Sequence, residues 1–205
     1  MTKIVKSKYK ICRRLGESLW GSAKDPVHKK NYPPGQHGAS FGQKRKTVHG
    51  TQLQAKQKLK KYYNIVEKQF KNTYLKAMKQ KGNSAENLVG LLERRLDAVV
   101  YRLNLVPTIF SARQLVGHKH VLVNGKVVNI PSYLVKPNDT IELKTTSKEM
   151  PLCIEASQKM ERSIPSYLTF DPKAMKGSFV TVPSLADIPY ATTMEPHFIV
   201  EFYSK

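Results

Sequence analysis

The chain has 205 residues and a formal net charge of +20, with 35 Lys and Arg against 15 Asp and Glu. Such a length allows one large domain or two small ones. The charge favours a polyanionic partner, and no apolar run approaches the ~20 residues that a transmembrane helix needs. Cys12 and Cys153 are the only cysteines, so the sequence predicts neither a disulfide framework nor a zinc knuckle.

The positive charge is concentrated in the first two fifths of the chain. Residues 1–82 hold 18 Lys and 3 Arg against three acidic residues, whereas residues 83–205 hold 14 basic and 12 acidic groups. A membrane surface is the competing polyanion, and the lysine-rich segment 51–81 fits it only in part. The distribution therefore predicts an anion-binding surface in the N-terminal part, with nucleic acid favoured over lipid.

Residues 1–50 are predicted to be mostly irregular, because glycines and prolines interrupt a lysine-rich background. Their bulky side chains, among them Trp20, predict that the segment orders against a partner; Trp20 itself fits either base stacking or a buried anchor. From residue 51 to 81, apolar residues recur every three or four positions. This period predicts a lysine-rich helix, with Asn64 as a candidate break.

A second helix is predicted over residues 86–104, where leucines and a valine form one stripe before Pro107. A short third helix is predicted to begin at Ser111, with Gln114 as its capping-box partner and Gly117 as a left-handed end. Burial of Ala112, Leu115 and Val116 would turn Arg113 and Gln114 outward.

The pair Asn124-Gly125 predicts a hairpin between strands 121–123 and 126–128, because this dipeptide favours a tight two-residue turn. A further strand is predicted over residues 140–144. The proline-punctuated tail predicts short strands at residues 167–170, 178–182 and 198–203.

No pattern indicates a nucleophile elbow, a P-loop or an HExxH metal site. The stretch PPGQHG fits either a turn-rich loop or a loop whose backbone amides approach phosphates, with Gln36 and His37 as added donors. His118, Lys119 and His120 lie at a predicted helix–strand junction, where adjacent side chains point apart. This predicts polar contacts to phosphate or ribose rather than a metal pair. Glu93 and Asp97 either neutralise the neighbouring arginines or leave them available. Without a base-reading helix, the surface suits a folded RNA better than duplex DNA.

Several motifs resemble the bacterial-type family of small-subunit ribosomal protein four. The segment from Arg95 to Gln114 followed by GHKHVLVNGKVVNI is similar to the RNA-binding module named after that family. Around it, YPPGQHG, QLQAKQK, EKQF, ENLVGLLERRLDAVVYR and VEFYSK occur in the order and spacing of the family. The resemblance covers the chain from end to end.

The resemblance implies an α+β fold: a mostly helical N-terminal domain completed by the C-terminal tail, with a small module of two helices and a hairpin inserted. The expected segments are a basic domain over 1–86, the RNA-binding module over 87–150 and an extension with short strands over 151–205. No enzyme activity, cofactor or metal is expected. Many relatives hold zinc through an N-terminal cysteine cluster, of which only Cys12 is present here.

The implied function is a structural constituent of the small ribosomal subunit that binds the 5′ domain junction of its rRNA, starts assembly and affects accuracy. Ribosomal protein five and messenger RNA near the entry channel are implied partners, in the bacterial cytoplasm or, alternatively, on a mitochondrial ribosome. The residues expected to contact RNA, from the charge pattern and the resemblance together, are Arg13, Arg14, Gln36, His37, Lys44, Arg45, Lys46, Lys56, Lys58, Lys60, Lys61, Arg95, Arg113, Gln114, His118, Lys119, Asn124 and Lys126.

Two alternatives use the same module. One is an RNA-modifying enzyme of the pseudouridine synthase type, because Arg95-Leu96-Asp97 resembles a catalytic aspartate motif. The short chain after Asp139 argues against it. The other is a free-standing RNA-binding regulator, against which the long basic N-terminal part argues.

Overall fold

The computed structural model describes residues 7–40, 47–159 and 161–204. The chain forms two compact units, Met1–Ala85 with Tyr190–Lys205, and Glu86–Pro189. The tail beyond residue 150 therefore contributes to both units. The mixture of helices with one antiparallel sheet confirms the α+β fold class.

The first unit is helical. Its helices are α1 (Lys10–Leu15), a 3-10 helix (Pro26–His28), α2 (Val48–Tyr62), α3 (Glu67–Met78) and, from the end of the chain, α9 (Pro196–Ser204). Thr47 caps α2, since its hydroxyl accepts a hydrogen bond from the Gly50 amide at 3.1 Å. Asn64 has a φ of 51° and separates α2 from α3, which confirms the predicted break.

The C-terminal segment forms a helix, so the predicted strand over residues 198–203 is wrong. Pro196 occupies the first position of α9, where its missing amide costs no hydrogen bond. Ile199 is buried, and the Tyr203 ring stacks on Tyr74 with centroids 4.8 Å apart. Because α9 packs along α2, the last residues of the chain complete the core that α2 and α3 begin.

The second unit begins with two helices where one is predicted. Its helices are α4 (Ser84–Glu93), whose first two residues belong to the first unit, α5 (Leu96–Arg102), α6 (Ile109–Gly117), α7 (Thr145–Lys148) and α8 (Pro151–Lys159). Arg95 is extended, with φ −66° and ψ 137°, and forms a bridge with Leu134. The Leu96 amide also donates to Tyr133 O at 2.9 Å, so this neighbouring segment replaces the helical bonds. The predicted single helix over 86–104 is therefore wrong.

The start and end of α6 also differ from the prediction. Thr108, and not Ser111, is the N-cap: its hydroxyl accepts from the Ser111 amide at 3.1 Å, and the Ser111 hydroxyl accepts from the Thr108 amide. Gly117 lies inside the helix, and Lys119, with φ 66°, takes the left-handed conformation. Burial of Ala112, Leu115 and Val116 is confirmed.

A five-stranded antiparallel sheet completes the second unit, in the order β2-β1-β3-β5-β4. The strands are β1 (Val121–Val123), β2 (Lys126–Val127), β3 (Thr140–Leu143), β4 (Leu168–Asp171) and β5 (Lys176–Phe179). The hairpin at Asn124-Gly125 is confirmed, and the tail strands lie close to two predicted ranges. A Cβ on Gly177 would lie 2.6 Å from the Leu103 side chain, so the sheet packs directly against the end of α5.

Candidate nucleic-acid interface

The loop of residues 32–38 is tied to α1 by Arg13. The Arg13 guanidinium donates to the carbonyls of Tyr32 and Pro33, each at 3.2 Å, and lies 4.7 Å from the Tyr32 ring centroid. A Cβ on Gly38 would come within 1.9 Å of Pro33 O, so the turn closes only with glycine there. Gln36 and His37 are exposed on this loop.

Arg13 and Arg14, both predicted RNA contacts, have different surroundings. Arg13 is half-buried and binds backbone carbonyls, whereas Arg14 is exposed. Trp20 is half-buried, and its indole N–H donates to Tyr62 O at 3.2 Å, which matches the anchor interpretation. Together these contacts fix the loop of residues 32–38 and present its amide and imidazole side chains to solvent.

The lysines of α2 are mostly buried. Lys56 and Lys60 place their ammonium groups 2.9 and 2.6 Å from the two carboxylate oxygens of Glu67, and Lys58 pairs with Glu17. The side chains of Lys56, Lys58 and Lys60 are 8, 11 and 10% exposed. This placement does not favour the predicted RNA contacts. Lys61 is half-buried, and burial first, then the charge of Lys60, lowers its pKa.

Glu67 joins α2, α3 and α9 through a cluster that sequence reasoning missed. Besides the two lysines, the Tyr203 hydroxyl donates to Glu67 Oε1 at 2.7 Å, and the Lys56 ammonium lies 4.2 Å from the Phe202 ring centroid. Partial burial would raise the pKa of Glu67, but the bonds from Lys56, Lys60 and Tyr203 outweigh it and lower the pKa to about 2. Burial raises the pKa of Tyr203, and Glu67 adds to the effect.

A buried carboxylate holds two arginines at the start of α5. Arg95 binds Asp97 with two hydrogen bonds, of 3.0 and 2.7 Å, and Arg113 Nη1 lies 3.5 Å from Asp97 Oδ2. Burial raises the pKa of Asp97, and the two guanidinium charges counter this. Arg95 is only 4% exposed, which does not favour the predicted RNA contact. Arg113 is half-buried and not fully turned outward, with its position set by Asp97.

Arg102 of α5 forms a second buried ion pair, with Glu93. Arg102 donates to both oxygens of Glu93, at 2.7 and 3.2 Å, and to Pro189 O at 3.0 Å. The Tyr167 hydroxyl donates to Glu93 Oε2 at 3.0 Å. Of the two interpretations left open by the sequence, neutralisation by neighbouring acids is the one that the geometry supports.

The remaining predicted residues of the module are exposed around the C-terminal end of α6 and the hairpin: Gln114, His118, Lys119, Asn124 and Lys126. Asn124 is already engaged, because its amide donates to Asp139 Oδ1 and accepts from the Thr140 amide, both at 2.8 Å. Its side chain therefore holds the hairpin turn against β3. Lys44, Arg45 and Lys46 lie outside the described residues.

Within the described ranges, no group of three or more His, Cys, Asp or Glu residues is arranged to hold a metal. Cys12 is fully buried, and burial raises the pKa of its thiol to about 12. No described helix combines the length and apolarity needed to cross a bilayer.

Comparisons with known proteins match the whole chain. A model described as the ribosomal protein S4/S9 N-terminal domain matches residues 3–93, and one described as the S4 domain matches residues 94–141. The small ribosomal subunit protein uS4 of Paramagnetospirillum magneticum is 57% identical over 207 residues, with both chains covered completely. The chain belongs to the uS4 family. Proteins of the same name from Nitrobacter winogradskyi and Rhodospirillum centenum are each 54% identical, again over the full length of both chains.

Membership in the uS4 family confirms the resemblance found in the sequence. The S4 domain, residues 94–141, contains α5, α6, β1 and β2, and its match begins where the chain leaves α4. The exposed residues around α6 and the hairpin therefore lie within the matched domain. The buried pair of Arg95 and Asp97 lies at its start.

Proposed function

We propose that the protein is a structural constituent of the bacterial small ribosomal subunit and that it binds the subunit's rRNA. The observation that carries this is the identity of 57% over the full length of both chains with a protein named as a small-subunit ribosomal protein. The relatives compared are bacterial, which supports a ribosome of the bacterial cytoplasm over a mitochondrial one.

The geometry supports binding rather than catalysis. Asp97, the residue on which the enzyme alternative depends, is 1% exposed and bonded to Arg95, so no nucleoside can reach its carboxylate. The free-standing regulator is disfavoured because the similarity extends through the basic N-terminal unit as well as the S4 domain. Instead, each unit presents exposed polar side chains on a segment held in place by hydrogen bonds. Such side chains suit a folded RNA recognised through its backbone and shape.

In more detail, each unit carries its own proposed contact surface: the loop of residues 32–38 in the first unit, and the exposed end of α6 with the hairpin in the second. Gln36 and His37 contribute donors on the loop, and His118, Lys119 and Lys126 contribute donors in the S4 domain. Arg113, half-buried beside Asp97, is a further proposed donor in the S4 domain. Lysines contact phosphates as point charges, so the S4-domain surface reads the backbone more than the bases.

The family resemblance supports four finer proposals. The RNA segment is the junction of the 5′ domain, which the protein binds early in subunit assembly. Ribosomal protein five is a neighbour, and messenger RNA passes near the entry channel. Through this position the protein contributes to translational accuracy.

Filter binding of the full-length protein to rRNA transcripts tests the proposal. We expect tight binding to a transcript of the 5′ domain and weak binding to a 3′ domain transcript of equal length. If about eight phosphates are neutralised, log affinity falls against log salt with a slope of roughly −6 to −7. Equal affinity for both transcripts, or an affinity independent of salt, would refute it.

A further inference from the structure

Helix α3 presents a basic surface on the side opposite to its buried residues. Phe70, Tyr74 and Ala77 face the core and are at most 4% exposed. At 100° per residue, the opposite side carries Lys68, Leu75, Lys76 and Lys79, the last of which directly follows the helix, with Lys71 and Met78 at its margins. All six are exposed. We call these six residues the α3 ridge.

The charges of the α3 ridge are not neutralised by neighbours. The helix contains a single acidic residue, Glu67, whose carboxylate is already occupied by Lys56, Lys60 and Tyr203. Throughout the described ranges, none of the four ridge lysines takes part in an ion pair. The lysines of α2 contrast with them, since three of those are buried and paired.

We propose that the α3 ridge is an rRNA contact surface that binds the sugar-phosphate backbone, a contact absent from the residues predicted above. This rests on the proposed function and names a further site for it. From Lys68 to Lys79 the helix rises about 16 Å, at 1.5 Å per residue. A flexible lysine row of that length reaches several successive phosphates of a structured RNA. Leu75, 47% exposed between the lysines, and Met78, 46% exposed at the edge of the ridge, pack against ribose.

The observations favour RNA over a membrane or a protein partner. A helix binds a bilayer surface through its apolar face, and that of α3 is buried against the core. The centre of a protein interface is depleted of lysine and richer in apolar area than this surface, which presents four lysines and only two apolar side chains. Repeated, unpaired ammonium groups suit a regularly charged polyanion.

The test compares three full-length variants with the unchanged chain by filter binding to the 5′ domain transcript. In the first, the four ridge lysines become glutamine, and in the second they become arginine. The third is a matched control that replaces four exposed lysines of the second unit, Lys136, Lys144, Lys173 and Lys176, by glutamine. We expect the ridge glutamine variant to shallow the salt slope by about 3, the control by less than about 1, and the arginine variant to retain the original slope.

The outcomes separate the two proposals. If the unchanged chain fails to prefer the 5′ domain transcript, both the proposed function and the proposed RNA contact of the α3 ridge are refuted. If it binds as expected but the ridge and control variants lose equal slope, only the ridge is refuted.

A crosslinker on the exposed ridge neighbour Asn72, introduced as Asn72→Cys, reports the partner directly, because both native cysteines are buried. Crosslinks to rRNA in reconstituted subunits support the proposal, and crosslinks only to another protein overturn it.

Discussion

Neutralising Glu93 tests whether the buried pair with Arg102 maintains the second unit. Glu93 is 0% and Arg102 3% exposed, and the carboxylate accepts three hydrogen bonds, two from Arg102 and one from Tyr167. Glu93→Gln keeps the shape but leaves a buried guanidinium without a counter-charge. Removing one partner of such a pair typically costs about 3–5 kcal/mol in the free energy of unfolding.

Hydrogen exchange of the α5 backbone amides is the suitable assay, since Trp20, the only tryptophan, lies in the first unit. We expect the free energy of opening of α5 to fall by about 3–5 kcal/mol in Glu93→Gln. The control Glu86→Gln changes an exposed residue of α4 and is expected to shift it by less than about 0.5 kcal/mol.

A double variant distinguishes charge loss from misfolding. Glu93→Leu with Arg102→Met replaces the pair by apolar side chains of similar size and is expected to recover most of the stability. A loss below about 1 kcal/mol in Glu93→Gln, or one no larger than in the control, would refute the reasoning.

Three further predictions concern single positions. Gly177→Ala should destabilise the second unit by about 1–3 kcal/mol in hydrogen exchange, because the new Cβ would lie 2.6 Å from Leu103 and 2.7 Å from a backbone oxygen; an unchanged value would contradict the packing. Glu67, whose pKa is about 2 when folded against an ordinary 4.5, contributes stability fully above pH 4.5 that is lost as the pH falls through about 2. Glu67→Gln should therefore flatten the acid side of a urea-midpoint profile, and a parallel profile would argue against it. Arg113→Ala should weaken binding to the 5′ domain transcript by about 1–3 kcal/mol in filter binding, whereas a solvated side chain would cause no loss.

Local signals in the sequence predicted those elements whose ends depend on one or two residues. Asn64 breaks the long lysine-rich helix, and Asn124-Gly125 closes the hairpin, because both asparagines tolerate the left-handed conformation. The resemblance then supplied the family and the arrangement of two helices with a hairpin. These predictions needed no knowledge of distant contacts.

The elements that were predicted wrongly depend on contacts with residues distant in the sequence. The apolar stripe continues across Arg95 because α4 and α5 bury the same kind of residue, so the period alone could not reveal the break stabilised by Leu134. The segment at Phe198 is rich in the aromatic and β-branched residues typical of a strand. Its packing along α2 nevertheless makes it a helix, and Pro196 was the missed signal.

Some predicted RNA contacts are exposed and others are buried, for the same reason. Charge along the sequence cannot tell which lysine will meet an acid after folding. Lys56 and Lys60 are drawn to Glu67, eleven and seven residues away in the chain, while the lysines of α3 stay exposed. The α2 lysines have few acidic neighbours in the sequence, but burial and pairing in the fold decide which charges reach a partner.

The packing of α9 along α2 sets a waiting time during synthesis. The unit that begins with the first 85 residues lacks part of its core until residues 190–204 leave the ribosome. At about 5–20 residues per second, that delay lasts roughly 6–24 s. Synthesis of the second unit, Glu86–Pro189, takes up most of this delay and ends before α9 is made. A newly made chain therefore has its sheet-containing half ready first, while its lysine-rich half must await the arrival of its final helix.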